Sequence, residues 1–223
     1  KALRKSFSPE VVRRLIRSPD YVEVYLSPRA REIAILYADI SGFTKMCEQI
    51  LKDPLRIGDF INGWSYGTVD CIYDHGGAFD KMVGDCIIGL FGPPFFADTP
   101  EALVQSAAKA AVAIRTFTRE FMELPKNADV KAHPLYPDLG VATGVNFCPA
   151  NVGFFGPDRA YTCFSSGMNN TARLQGLAKA GHILVMDNAK AILDTSGAAY
   201  AWEGPLATQV KNVAKPLQYY MLK

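Results

Sequence analysis

Apolar and polar positions fall in blocks along the chain, and the period changes from block to block. Ile33-Ala34-Ile35-Leu36-Tyr37-Ala38 is a continuous apolar run of strand length, which predicts a strand buried on both faces. It closes on Asp39, followed by Ser41 as a candidate helix cap and by the permissive Gly42. Phe43, Met46, Cys47 and Ile50 then repeat at helical spacing until Pro54 interrupts. A second helical pattern over residues 57–73 puts Phe60, Ile61, Trp64, Thr68, Cys71 and Ile72 on or near one face, and Gly76-Gly77 ends it. Residues 78–91 read as a hairpin turning at Gly84-Asp85.

Asp98-Thr99-Pro100-Glu101 resembles a capping box ahead of a long helix. Leu103, Ala107, Ala110, Ala111, Ile114, Phe117 and Phe121 form its apolar side, small enough to lie close to a sheet. Residues 123–137 are rich in proline and charge and predict a surface loop. Strands are expected over 139–145 and from Asn151, and extended chain over 161–164. A helix over 167–179 is stopped by Gly181, and a strand over 183–186 precedes a short helix capped by Asp187. Two more strands fall near 200–203 and 217–222. At the front, Ser8 caps a short helix with Pro9 at its first position, and Pro19 and Pro28 bracket a linker. The order predicts an α+β fold: a ferredoxin-like, palm-type, mostly antiparallel sheet with helices on one face, extended by a C-terminal αβ unit. The expected organisation is a basic helical arm over residues 1–29, joining a longer protein, and a catalytic domain over 30–223.

Composition narrows the class. The 223 residues are 49% hydrophobic and 21% charged, ordinary for a globular chain that needs no staples. A net charge of +2, without a basic stripe interleaved with aromatics, gives no nucleic-acid signature. Five scattered cysteines form no CxxC, and three histidines are dispersed, so neither a disulfide framework nor a zinc site is suggested. A cytoplasmic setting is expected from this cysteine usage. No apolar run reaches the about 18 residues of a membrane span, although a longer protein could carry an anchor elsewhere.

The candidate chemistry starts with the acids. Asp39 at a strand end and Asp85 at a hairpin turn would meet at one sheet edge, where a pair of divalent cations needs carboxylates. Two bare carboxylates about 4 Å apart repel by about 4 kcal/mol at an effective dielectric near 20, so a cation, a proton or a turned side chain must relieve them. The free amides of Phe43 and Thr44, at a helix start, could take phosphate oxygens. Asn169 and Arg173 share a helix face and suit a ribose and a developing phosphate charge. Lys81 stands in an otherwise apolar strand, where it either snorkels or reads a base edge.

Three stretches together resemble the catalytic domain of class III nucleotidyl cyclases: Tyr37-Ala38-Asp39-Ile40-Ser41-Gly42-Phe43-Thr44; Gly76-Gly77 with Lys81-Met82-Val83-Gly84-Asp85; and Asn169-Asn170-Thr171-Ala172-Arg173-Leu174. The run Phe7-Ser8-Pro9-Glu10-Val11-Val12 is similar to the lead-in of many bacterial members. The resemblance implies conversion of ATP to 3′,5′-cyclic AMP and pyrophosphate in a homodimer. Asp39, Asp85 and the carbonyl of Ile40 would bind two Mg²⁺ or Mn²⁺ ions, while the other chain supplies Lys81, Asn169 and Arg173. Lys81 with Thr162 at the base-reading positions resembles the bacterial and soluble-type adenylate cyclases, some of which respond to bicarbonate. A guanylate cyclase would carry Glu in place of Lys81, and a silent regulatory module would have lost an acid or Arg173. The run Phe164-Ser165-Ser166-Gly167-Met168 departs from the family's Ile-Gly-Asp-like segment, and Asn146-Phe147-Cys148-Pro149-Ala150 is atypical. Lys211 and Arg159 are the candidates for a triphosphate-binding base, and an upstream regulatory domain is the implied partner in the full-length protein.

Overall fold

The computed structural model describes residues 3–210 and 216–223. Two short helices, α1 (Leu3–Ser6) and α2 (Pro9–Ile16), open the chain, and a π-helical turn (Val22–Leu26) leads into β1 (Arg29–Ser41). The Ser8 side chain accepts from Val11 N at 3.3 Å and Pro9 is the first helical residue of α2, as the sequence predicts. After β1, α3 (Phe43–Met46) continues into a π-helical turn (Cys47–Leu51). Ser41 is not its cap: Gly42 occupies that position at φ +80°, a left-handed conformation that glycine adopts without strain, and no side chain caps the helix.

The first long helix, α4 (Pro54–Asp74), starts earlier than residue 57. Pro54 does interrupt the pattern, since the preceding helical stretch ends at Leu51, and it is itself the first residue of α4, which Asp53 caps by accepting from Leu55 N and Arg56 N. The hairpin forms as expected, β2 (Ala78–Val83) and β3 (Cys86–Phe91). In α5 (Pro100–Glu123) the cap is Thr99, accepting from Ala102 N, and not Asp98; Pro100 fixes the first helical residue and so sets the register. The stretch 123–137 is not a bare loop. It folds into a 3-10 turn (Pro125–Asn127), α6 (Ala128–Ala132) and a second 3-10 turn (Tyr136–Asp138), tied down by fully buried Asn127 and Val130.

The two strands expected over 139–155 are one, β4 (Gly140–Phe155). Pro149 is tolerated inside it because β6 pairs only with residues 143–145 and β5 only with 151–155, so among the described residues the far edge of β4 beside Pro149 has no strand to pair with. Next come β5 (Ala160–Phe164), α7 (Ser166–Gln175), β6 (Ile183–Met186), α8 (Asp187–Thr195), β7 (Trp202–Thr208) and β8 (Leu217–Leu222). Helix α7 stops at Gly176, well before Gly181. Asp187 is the first residue of α8 rather than its cap.

The sheet order is β2-β3-β1-β4-β6-β8-β7, with β5 also on β4. Its first four strands, joined as β1-α4-β2-β3-α5-β4 and all antiparallel, are the ferredoxin-like core; the parallel pair β4–β6 attaches the C-terminal αβ unit. Alternation along β1 divides the core. Ala34, Leu36, Ala38 and Ile40 face α4, α5 and α8, with Ala107, Ala110 and Ala111 fully buried against them. Ile33 and Ile35 face the other way, into a second cluster with Phe7, Leu15, Leu26, Cys148, Tyr161 and Met168. Helices therefore cover both faces, not one: the N-terminal arm and α7 close the second. Each fully buried leucine of the arm contributes about 1.5–3 kcal/mol of transfer free energy, and Leu15 and Leu26 are both 0% exposed. Among the described residues no helix is long and apolar enough to cross a membrane.

Candidate active site

Asp39 follows Ala38 in β1, and Ala38 pairs with Ile87 of β3, so Asp39 arrives beside the β2–β3 turn that carries Asp85. By alternation Asp39 lies on the α7 face, opposite the α4–α5 core. It opens into a cavity of about 570 Å³ lined by Asp39, Ile40, Gly42, Phe43, Thr44 and Asp85, with Asp138 and Gln175. Thr44 is exposed and Phe43 half-buried. The amides of a first helical turn have no partner within the helix, so those of Phe43 and Thr44 are free to face an anion.

The electrostatics mark this pair of acids. Burial, then repulsion from Asp85, pushes the Asp39 carboxyl from 3.8 up to about 6, with the Gln175 amide pulling the other way. Burial and both acids push the Cys86 thiol up to about 12, and burial with Asp85 raises Cys47. The thiols beside the acids therefore stay protonated, and the donors on offer are oxygens, which suits a hard cation such as Mg²⁺ or Mn²⁺. Two carboxylates and the Ile40 carbonyl fit such an ion. Among the described residues no group of three or more His, Cys, Asp or Glu side chains is arranged to hold a metal ion by itself.

A second cavity, about 510 Å³, lies next to the first and shares Gln175 with it. Lys81, Asn169, Tyr37, Cys86, Cys163 and Ser165 are among its lining residues. Helix α7 can carry Asn169 this close to the sheet because Gly144 of β4 has no side chain. A Cβ there would stand 2.9 Å from Gln175 N and 3.0 Å from Thr171 O. Ser165 settles the atypical segment ahead of α7: its hydroxyl donates to Pro149 O at 2.6 Å and accepts from Gly167 N at 3.0 Å, pinning the helix start to β4. Arg173 is half-buried and donates to Asn170 Oδ1 at 3.1 Å.

Within one chain, then, Asp39, Asp85, Ile40, Phe43 and Thr44 come together, and Lys81 and Asn169 come together in the neighbouring cavity. Thr162 does not line that cavity; it is 6% exposed. Arg159 joins neither group. It sits in the β4–β5 turn at φ +47°, over the Phe154 ring, at the end of β4 remote from the residue that pairs with Asp39. Lys211 lies outside the described residues. The sequence reading missed Gln175, signalled only by its place at the end of the helix that carries Asn169 and Arg173. It also missed Asp80, the residue before Lys81.

Comparison with known proteins settles the family. The profile of the adenylate and guanylate cyclase catalytic domain matches residues 25–223. The chain belongs to that family. It is 26% identical to human guanylyl cyclase C over 216 residues, which is 96% of this chain and 18% of that protein. The fold of this cyclase domain is similar to that of the adenylyl cyclase CyaB from P. aeruginosa, with a TM-score of 0.76 and 23% identity over 89% of this chain and 96% of that one. It is also similar to the guanylyl cyclase Cya2, with a TM-score of 0.69 and 24% identity over 87% of this chain and 93% of that one. Class III membership and the palm-type sheet expected from the sequence are thus shown, and cyclases of both nucleotide types stand among the similar proteins. The chain spans less than a third of the length of the curated relatives that match it over most of its length.

Proposed function

We infer that this domain is an adenylate cyclase, forming 3′,5′-cyclic AMP and pyrophosphate from ATP at sites shared between two copies of the chain. The observation that carries the reading is the Asp39–Asp85 pair, held at adjacent strand ends with one carboxyl pushed up to about 6 and open to a cavity of nucleotide size. Asp39, Asp85 and the Ile40 carbonyl would hold two divalent cations, Mg²⁺ or Mn²⁺, which would supply charge neutralisation and a lowered pKa for the ribose 3′-hydroxyl. The 3′-oxygen forms its bond to the α-phosphorus as the bond to the β-phosphate oxygen breaks. The amides of Phe43 and Thr44 hold phosphate oxygens. Asn169 orients the ribose, and Arg173 stabilises charge that develops on the α-phosphate.

Lys81 and Thr162 read the base, Lys81 donating to a ring nitrogen and the Thr162 hydroxyl accepting from the adenine amino group. The separation of the acids from Lys81 and Asn169 into two cavities of one chain supports a site completed by a partner copy. Likeness to human guanylyl cyclase C favours GTP as a second reading, and Lys81 counts against it. The arm before residue 30 shares a buried cluster with Met168 of α7, which supports a role in passing a signal from an upstream regulatory domain. Bicarbonate as an activator rests on the subgroup resemblance; Lys211 remains a proposed phosphate contact, and Arg159, remote from the acids of its own chain, is proposed as one only toward the site of the partner copy.

Asp39→Ala or Asp85→Ala is expected to abolish turnover. Mixing Asp39→Ala chains with Arg173→Ala chains is expected to restore part of it, since one site of each mixed dimer is intact. No recovery on mixing would rule out the shared site.

A further inference from the structure

The chain buries one carboxylate that this function leaves unexplained. The pairing of β2 with β3 slips between Phe79 and Lys81, so Asp80 is an extra residue bulged out of the ladder. Bulges beside active sites re-aim side chains, and this one turns Asp80 inward: its side chain is 0% exposed. Neither carboxylate oxygen makes a well-formed hydrogen bond, and the buried Thr162 Oγ1 is equally unpartnered. A buried polar atom without a partner requires an explanation. The groups around Asp80 supply one. Lys81 Nζ stands 3.6 Å from its Oδ2. The Thr162 hydroxyl lies beside it and, with Lys81, pulls its pKa down against the larger upward push of burial. Tyr37 and Cys163, both lining the Lys81 cavity, feel its charge.

We propose that Asp80 is the positioning residue for base selection: it accepts the Thr162 hydroxyl proton and holds the Lys81 ammonium beside it. A free hydroxyl can donate or accept. One whose proton is committed to a carboxylate presents only lone pairs, so it accepts from the amino group of adenine and opposes the carbonyl of guanine. The ammonium donates to the neighbouring ring nitrogen, which is an acceptor in adenine and carries a proton in guanine. Once nucleotide opens the Lys81 cavity to the buried Thr162 Oγ1, the bulged Asp80 thus turns an ambiguous threonine into an adenine reader. This role rests on the adenylate cyclase reading.

The test is the ratio of kcat/KM for ATP over GTP, measured with Mn²⁺ on the purified chain. Asp80→Ala is expected to lower the ratio about tenfold, mostly by raising GTP turnover relative to ATP. Thr162→Val is expected to lower it similarly, and the double variant no further than the stronger single one. The more conservative Asp80→Asn, which keeps shape and a weaker acceptor, is expected to fall between wild type and Asp80→Ala, and decides the matter if Asp80→Ala does not melt cooperatively. A merely structural role lowers both turnovers equally; an unchanged ratio in the folded variants therefore overturns the proposal, as do additive effects of Asp80→Ala and Thr162→Val. Wild-type protein that makes cyclic AMP while the variants keep its ratio refutes Asp80's role alone. Wild-type protein that turns over neither nucleotide refutes the function and this role together.

Discussion

Asp85→Asn separates the site's chemistry from its stability. In the metal-free protein the Asp39 carboxyl is raised from 3.8 to about 6, which corresponds to about 3 kcal/mol of destabilisation at neutral pH before solvent screening. Asp39 is only half-buried, so screening reduces this to about 1–2 kcal/mol. Burial is the largest cause and Asp85 the next, so removing the Asp85 charge recovers about 0.5–1 kcal/mol. For a chain of this size that is a rise in Tm of about 1–4 °C. The sign follows from linkage. A carboxylate whose folded pKa is raised costs stability above that pKa, and the cost vanishes below the unfolded value near 4. The gain should be full at pH 7.5 and absent at pH 4. The assay is thermal unfolding of wild type and Asp85→Asn in EDTA at both pH values, repeated with Mn²⁺. Mn²⁺ should raise the Tm of wild type well above that of the variant, and the variant should make no product. An Asp85→Asn protein less stable than wild type in EDTA at pH 7.5 would refute the repulsion on which the metal site is argued.

Other perturbations test the scaffold. Gly144→Val should push α7 off β4, since its new atoms meet helix backbone rather than a movable side chain. A loss of about 1–3 kcal/mol is expected from urea unfolding, with a larger fractional loss of turnover because Asn169 and Arg173 ride on that helix. Leu15→Ala should cost about 2–5 kcal/mol, as for other buried leucines; a cost near zero would mean that the arm does not support the second core. Metal affinity should fall as pH drops from 7 to 5, because Asp39 must lose its proton to bind a cation; binding of Mn²⁺ by calorimetry at each pH checks this.

The elements carried by one strong local signal were legible in the sequence. The apolar run of β1, the Gly-Asp turn of the hairpin and the small residues of α5 each indicated their places, and with them the acids at adjacent strand ends. What escaped was decided by contacts far along the chain. Pro149 marks a break by local rules, yet β4 runs through it because its far edge is unpaired there. Residues 123–137 are polar and proline-rich, but Asn127 and Val130 bury themselves and make helices of them. The arm reads as a basic linker, although Phe7, Leu15 and Leu26 complete a core whose other half is contributed by five strands and α7. Asp80 was invisible for a different reason. Strand alternation alone does not show a bulge, and without the bulge Asp80 and Lys81 would face opposite sides of the sheet. The pair Asp39 and Asp85 could be read because two motifs place them; Gln175, which lines both cavities, belongs to no motif and needed the fold.

The most direct test of the central claim is product formation by the purified chain with Mn²⁺ and either ATP or GTP, over a range of protein concentrations. Cyclic AMP from ATP, with specific activity that climbs as the protein is concentrated, is the predicted result, since each site is proposed to need two chains. Cyclic GMP as the main product would contradict the assignment of Lys81 and Thr162 to adenine, and no product from either nucleotide would contradict catalysis by Asp39 and Asp85.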